Sequence, residues 1–312
     1  MRILVVDPID ADALAQLRSR FDVQVRLRPS GRQLLDLVPD VEVIVFRSGV
    51  TLSAAVFDRA ARLKVVGRAG TGVDNIDLAA ATRTGVCVFN VPGQSAGSVA
   101  ELAFGLMLAA MRNIPCADRK VRAGVWEKAS LMGSELQGRT LGVIGFGDVG
   151  SRIARIAAGF SMKVLASVAH PSPQRSEDLA GRGCLLVGLA ELLALSDVVC
   201  LAVPLTEDTR GLIGSAALKS MKPSAFLVNV SRGGVVDEGA LVAALRDRTI
   251  AGAGLDVHAE EAGAPPFSGL DRVVLTPHLG AMTSAAQRAV GRGLVEGITA
   301  ALEGRDVPNR VC

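Results

Sequence analysis

Short runs of aliphatic residues, apolar at consecutive positions instead of every second one, alternate with amphipathic stretches along this chain. A strand that is apolar on both faces has to be covered on both. The intervening segments have the length and periodicity of helices that supply the cover, so the pattern commits the chain to parallel sheets of the α/β class. Residues 3–6, 23–27, 41–46, 64–67 and 86–89 read as one series of strands, and residues 140–144, 163–168, 184–187, 198–202, 225–230, 252–257 and 273–275 as a second. Two sheets are implied, as suits 312 residues at roughly 150 per domain. The 49% apolar content supplies both cores and excludes intrinsic disorder.

Between the series lies the stretch 96–111, apolar around most of its circumference and followed by Arg112, Asn113 and Pro115, which reads as a buried helix with its stop signals. A last helix runs to about Leu302 and ends at Gly304. It has no strand left to join in the second series, so its expected place is with the first. The expected domains are therefore 1–94 plus 283–312, and 95–282 inserted between them.

Lys and Arg number 34 against 31 Asp and Glu, a dispersed net charge of +3, which does not suit a protein that tracks a phosphate backbone. The apolar run before Asp7 is too short for a signal-peptide core, and no stretch approaches a membrane span. A soluble, cytoplasmic protein without nucleic-acid or membrane partners is expected. Cys87, Cys116, Cys184, Cys200 and Cys312 form no C-x-x-C pair, so neither a disulfide frame nor a metal site is expected, only core thiols and one tail thiol.

The strand at 140–144 runs directly into Gly145-Phe146-Gly147-Asp148-Val149-Gly150, and Ser151 to Phe160 continue as a helix. This is G-x-G-x-x-G in the context it requires: glycines for a tight turn, for close approach of a pyrophosphate and for helix-on-strand packing, with the helix N-terminus facing the phosphate charge. A Rossmann-type dinucleotide site is expected there. A second cluster, Gly67 to Gly72, has Asn75 where a third glycine is wanted and suits a small anion better.

The acid that usually takes the adenosine ribose hydroxyls is missing near Val168, with no carboxylate until Glu177. Ser167, His170 and Arg175 are candidates to accept a 2′-phosphate instead, or are ordinary loop residues beside NAD. NAD or NADP is expected, with NADP accepted at least as well.

Of three histidines, His278 lies just past the end of strand 273–275, where open α/β sheets place their ligands. His258 follows strand 252–257, close to Glu260 and Glu261, and spacing does not decide which histidine either acid would serve. Arg232 ends another strand of the series and is followed by two glycines; its fork suits a carboxylate. Seen singly, a bonded core histidine or a surface arginine explains each. Together, beside a nicotinamide site, they imply hydride transfer coupled to proton transfer at an α-keto or α-hydroxy acid.

These motifs resemble the D-2-hydroxyacid dehydrogenase family, most closely its 3-phosphoglycerate-oxidising members. The likeness covers nearly the whole chain and is strongest at 65–77 (VVGRAGTGVDNID), 90–101 (NVPGQSAGSVAE), 142–150, 229–241 (NVSRGGVVDEGAL), 255–261 (LDVHAEE) and 276–280 (TPHLG). The resemblance implies a flavodoxin-like substrate domain that carries the Rossmann domain as an insertion, both doubly wound. It implies Arg232 as the substrate-binding arginine, His278 as acid/base, and Glu261 as the carboxylate that supports the imidazole, with Glu260 as the alternative.

By the same resemblance the loop with Arg68, Ala69, Gly70 and Gly72 cradles a carboxylate, and Arg47 lies toward a distal phosphate. Asp256 and Ser95 lie near the cofactor. His258 stands where related sequences often carry an aromatic residue. A homodimer is implied, through the helix after residue 95 and the segment around Trp126. Hydroxypyruvate or glyoxylate is the alternative substrate, and an NAD(H)-sensing, corepressor-like scaffold the alternative of another class.

Overall fold

The computed structural model describes residues 1–260 and 263–312. Two compact units are present, Met1–Ser95 with Met282–Cys312, and Ala96–Ala281.

In the first unit, strands β1 (Arg2–Val5), β2 (Asp22–Val25), β3 (Val43–Phe46), β4 (Val65–Arg68) and β5 (Cys87–Asn90) form a sheet in the order β2-β1-β3-β4-β5. Every pairing is parallel. This order is that of a flavodoxin-like doubly wound fold. The consecutive apolar positions explain it directly: Val43 and Val45 enter the core on one face, Ile44 and Phe46 the core on the other. Helices α1 (Ala11–Arg20), α2 (Gly31–Leu37), α3 (Ala54–Arg59) and α4 (Leu78–Arg83) make the crossovers. Asp10, Ser30 and Asp77 cap α1, α2 and α4 with their side chains.

The second unit opens with α5 (Ala96–Met111) and α6 (Ile114–Arg122). Strands β6 (Thr140–Ile144), β7 (Lys163–Ser167), β8 (Cys184–Leu186), β9 (Val198–Leu201), β10 (Phe226–Asn229), β11 (Gly252–Leu255) and β12 (Val273–Leu275) follow. They are joined by α7 (Asp148–Gly159), α8 (Pro173–Gly181), α9 (Leu189–Leu195), α10 (Ser215–Ser220) and α11 (Glu238–Arg246). The sheet is ordered β12-β11-β10-β9-β6-β7-β8 and is parallel throughout. Leu106 and Met107 of α5 and Ile153 of α7 cover one face with Val143, while Leu192 of α9 and Leu241 of α11 cover the other with Ile144. The chain's last helix, α12 (Ser284–Leu302), belongs to the first unit, where Val290, Leu294 and Ile298 join Ile3, Val5 and Phe89.

Seven expected strands, 3–6, 23–27, 163–168, 184–187, 198–202, 225–230 and 252–257, overshoot the observed carboxyl ends by one or two residues. The aliphatic runs 225–230 and 252–257 continue past Asn229 and Leu255, where β10 and β11 stop. Val230 and Val257 are still buried, so hydropathy sees no boundary there, although the backbone has already turned away from the ladder. Cys184 and Cys200 are core thiols, and burial pushes the Cys200 thiol up to about 12. Cys87 and Cys116 are only half-buried, a correction to the expected set of core thiols. Among the described residues no single helix is long and apolar enough to cross a membrane, and no cluster of three His, Cys, Asp or Glu is placed to hold a metal.

Candidate active site

In the second unit the chain winds one way from β6 to β8 and the other way from β9 to β12, so β6 and β9 are neighbours at the point where the order reverses. Such a switch point opens a crevice at the carboxyl ends of the strands, and the glycine loop lies there. Gly145 has φ 90, and a Cβ on it would lie 2.5 Å from Ala202 O; a Cβ on Gly150 would lie 2.1 Å from Gly145 O. Both positions therefore admit only glycine. A Cβ on Gly147 would meet nothing within 4 Å, and α7 starts from Gly147 without a side-chain cap. No side chain caps the leading amides of α7, and the glycine leaves room beside them, an arrangement that fits the pyrophosphate of a dinucleotide. Asp148 and Val149 begin the helix.

At the end of β7, Ser167 is buried and its carbonyl accepts from Gly145 N at 2.9 Å, which ties the loop to the strand. Val168 is half-buried and His170 exposed. Arg175 donates through Nη2 to Phe146 O at 2.7 Å and pairs with Asp178 at 3.7 Å, so its guanidinium is anchored on the glycine loop itself.

Strands β10, β11 and β12 end in register, Asn229 beside Leu255 and Leu255 beside Leu275. Arg232, His258 and His278 each follow those ends at the same interval. The sheet therefore brings three distant segments to one edge. Asn229, buried, shapes the first: its Nδ2 donates to Arg232 O at 2.9 Å, and its Oδ1 accepts from Ser231 N at 3.0 Å and Ser231 Oγ at 2.7 Å. Arg232, half-buried, donates through Nη1 to Ser231 O.

His278 is half-buried with φ 56, a left-handed backbone that a non-glycine residue seldom adopts. Asp256 holds it there. The Asp256 carbonyl accepts from His278 N at 2.7 Å, Oδ1 from Thr276 Oγ1 at 2.6 Å and Leu279 N at 2.7 Å, and Oδ2 from Gly280 N at 2.9 Å. The resemblance puts Asp256 near the cofactor; the carboxylate's described bonds all go to the segment that carries His278. His258 shares neither expected acid among its described contacts. Its Nδ1 faces Glu238 Oε1 of α11 at 4.0 Å. Glu238 has no local sequence signal, because the approach joins residues from different strand–helix connections. Glu260 is exposed, and Glu261 lies outside the described residues.

In the first unit Arg68 is buried beneath its own loop, with Nη1 donating to Ala69 O at 2.9 Å and its guanidinium 6.0 Å from the Phe46 ring. Ala69 N is spent on Phe46 O and Gly70 N on Arg68 O. Two of the amides expected to cradle a carboxylate, those of Ala69 and Gly70, are thus already engaged within the unit. Arg47 donates through Nη1 to Gln287 Oε1 at 3.2 Å. Burial lowers the affinity of its guanidinium for the proton, and the charge of Asp7 partly restores it. Ser95, half-buried, immediately precedes α5.

Residues 104–280 match the family model described as D-isomer specific 2-hydroxyacid dehydrogenase, NAD binding domain. The chain is 44% identical over 314 aligned residues to a D-3-phosphoglycerate dehydrogenase of Archaeoglobus fulgidus, an alignment covering 100% of this chain and 59% of that one. It is 41% identical to a hydroxypyruvate reductase of Thermotoga maritima, covering 95% and 97%. Among solved structures, the TT0316 protein of Thermus thermophilus superposes with a TM-score of 0.92 at 36% identity, covering 100% of both chains. The chain thus spans about three-fifths of the length of the curated phosphoglycerate dehydrogenases it matches.

Proposed function

Because the chain belongs to the D-isomer specific 2-hydroxyacid dehydrogenase family, we propose that it transfers a hydride between a nicotinamide cofactor and a D-2-hydroxy acid or its 2-keto acid. The observation that carries this reading is the placement of Arg232 and His278 just past registered strand ends, on the sheet whose switch point carries the glycine loop.

Gly145, Gly147, Asp148, Val149 and Gly150 would hold the dinucleotide, with Ser167, His170, Arg175 and Ser95 along it. The bound nicotinamide supplies or takes the hydride. Arg232 binds the substrate with its planar fork. His278, as imidazolium, gives its proton to the carbonyl oxygen in reduction, and as imidazole takes the hydroxyl proton in oxidation. Glu261 is proposed to support the ring. The loop at Arg68, Ala69, Gly70 and Gly72 is proposed to hold a carboxylate, and Arg47 a distal phosphate. The substrate proposed is 3-phosphoglycerate.

A second reading, hydroxypyruvate or glyoxylate reduction, is favoured by the Thermotoga relative, which this chain matches along almost its whole length. Values of kcat/KM for phosphorylated and plain 2-hydroxy and 2-keto acids, each with both nicotinamide cofactors, separate the two. The first reading expects the phosphorylated acid to lead; a lead for hydroxypyruvate or glyoxylate selects the second. Cofactor binding with no turnover of any acid would leave an NAD(H)-sensing scaffold. A cytoplasmic homodimer is part of the proposal.

A further inference from the structure

We propose that His258 is a positioning residue for this chemistry, the hub that fixes the Arg232 loop and the His278 turn relative to one another. The proposal rests on the reading above, which gives Arg232 and His278 their roles.

β11 lies between β10 and β12, so His258 follows the middle of three registered strand ends, with Arg232 and His278 after the outer two. It engages both neighbours. Its Nε2 is 3.1 Å from Thr276 O, and a carbonyl only accepts, so Nε2 carries the hydrogen. On the other side a Cβ on Gly233 would fall 2.0 Å from the carbonyl carbon and oxygen of His258, so the Arg232 loop rests directly on the His258 backbone. Behind it, Glu238 accepts from Ala259 N at 2.8 Å with the same oxygen that faces His258 Nδ1.

The polar ring is kept at a cost. Nδ1 is buried with no hydrogen-bond partner among the described residues, an arrangement that proteins generally avoid. A phenyl ring would fill the same wall without an unpaired nitrogen. What the imidazole has and a phenyl ring lacks is the bond to Thr276 O. That bond secures the near side of the turn, just before the left-handed residue, while Asp256 holds its far side through Leu279 N and Gly280 N. Without it the near side keeps the bonds of Thr276 to Leu255 O and Asp256 but loses its tie to the ring whose backbone carries the Arg232 loop, so the His278 turn can shift relative to Arg232. A small shift there slows proton transfer without touching the dinucleotide loop.

The test compares His258→Phe and His258→Gln in the full chain. Phe removes the donor and keeps the bulk; Gln keeps an N–H that reaches toward Thr276 O. Three quantities are read: kcat and KM for the best substrate across pH, the dissociation constant of the nicotinamide cofactor, and hydrogen exchange at the Leu279 and Gly280 amides. For His258→Phe, kcat falls about tenfold with KM and cofactor affinity within about twofold, and both amides exchange faster. His258→Gln recovers most of kcat and of the protection. Wild-type kcat and exchange in the Phe variant, or equal damage in both variants, overturns the proposal. If the wild-type chain turns over no 2-hydroxy acid, the dehydrogenase reading fails by itself, and the exchange data still decide whether His258 holds the turn.

Discussion

A left-handed backbone at a residue with a side chain costs about 1–3 kcal/mol, and the molecule holds His278 in one by directing Asp256 onto the amides around it. Such cost is tolerated where an orientation matters. His278→Gln keeps the shape and removes the proposed proton carrier, so turnover should fall by about 10²–10⁴ while cofactor affinity stays unchanged. Isothermal titration alongside steady-state kinetics reads both, and near-normal turnover would remove His278 from the role. A second prediction concerns Val168, beyond the end of β7 where the usual acid is missing. Val168→Asp would set a carboxylate against a 2′-phosphate and lower NADP affinity at least about tenfold, since like charges brought together cost several kcal/mol, with NAD affinity kept or raised. Equal losses for both nucleotides would show that this position does not read the ribose. The positions of Arg232 and His278 just past strand ends were legible because each follows an aliphatic run with a recognisable motif. The bonds of Asp256 to Thr276 and Gly280, and the approach of Glu238 to His258, were not, because they join segments whose neighbourhood only the sheet register creates.

At the level of elements, hydropathy located the strands well and their carboxyl ends poorly, because the apolar character of Val230 and Val257 persists into the turns that carry the proposed site residues. The opposite edge of the same sheet is fixed by polar bonds that no periodicity reveals. Asp197, just before β9, accepts from Thr140 N at 2.9 Å and from Lys222 Nζ at 3.0 Å, and its carbonyl accepts from Phe226 N. One residue thus aligns the starts of β6, β9 and β10. Burial raises the pKa of its carboxyl, but the Thr140 amide and Lys222 outweigh this and hold it below the ordinary aspartate value. A carboxylate depressed on folding contributes stability above its unfolded pKa and loses it as pH falls toward the folded one. Asp197→Asn should therefore cost about 1 kcal/mol at neutral pH, the ion pair with the half-exposed Lys222 being partly screened. The gap from wild type should close as pH drops below about 4. Urea midpoints of the two proteins across that range test this; a gap independent of pH would mean that packing, not charge, supplies the difference.

For the whole molecule, the alternation of strands and helices announced two parallel sheets, but the stretch after α5 carried no comparable signal. There α6 has no buried residue, and Ile114 and Val121 are exposed along it. Trp126 is 79% and Met132 80% exposed, beside a groove of about 300 Å³ lined by Val121, Trp126, Glu127, Lys128 and Leu131. Single exposed apolar residues are ordinary, whereas a contiguous patch with an unburied tryptophan marks an interaction surface. Soluble oligomers are most often twofold dimers in which the same patch meets itself. The proposed homodimer would cover this one, and its apolar centre then decides association. Trp126→Asp combined with Met132→Asp places charge at that centre in both subunits at once, on side chains that support no core of the monomer. Light scattering behind size exclusion should then give a mass near 32.3 kDa, against twice that for the unsubstituted chain, with circular dichroism unchanged. A double variant that keeps the dimeric mass would move the interface elsewhere on the molecule and leave the exposed tryptophan without a role in assembly.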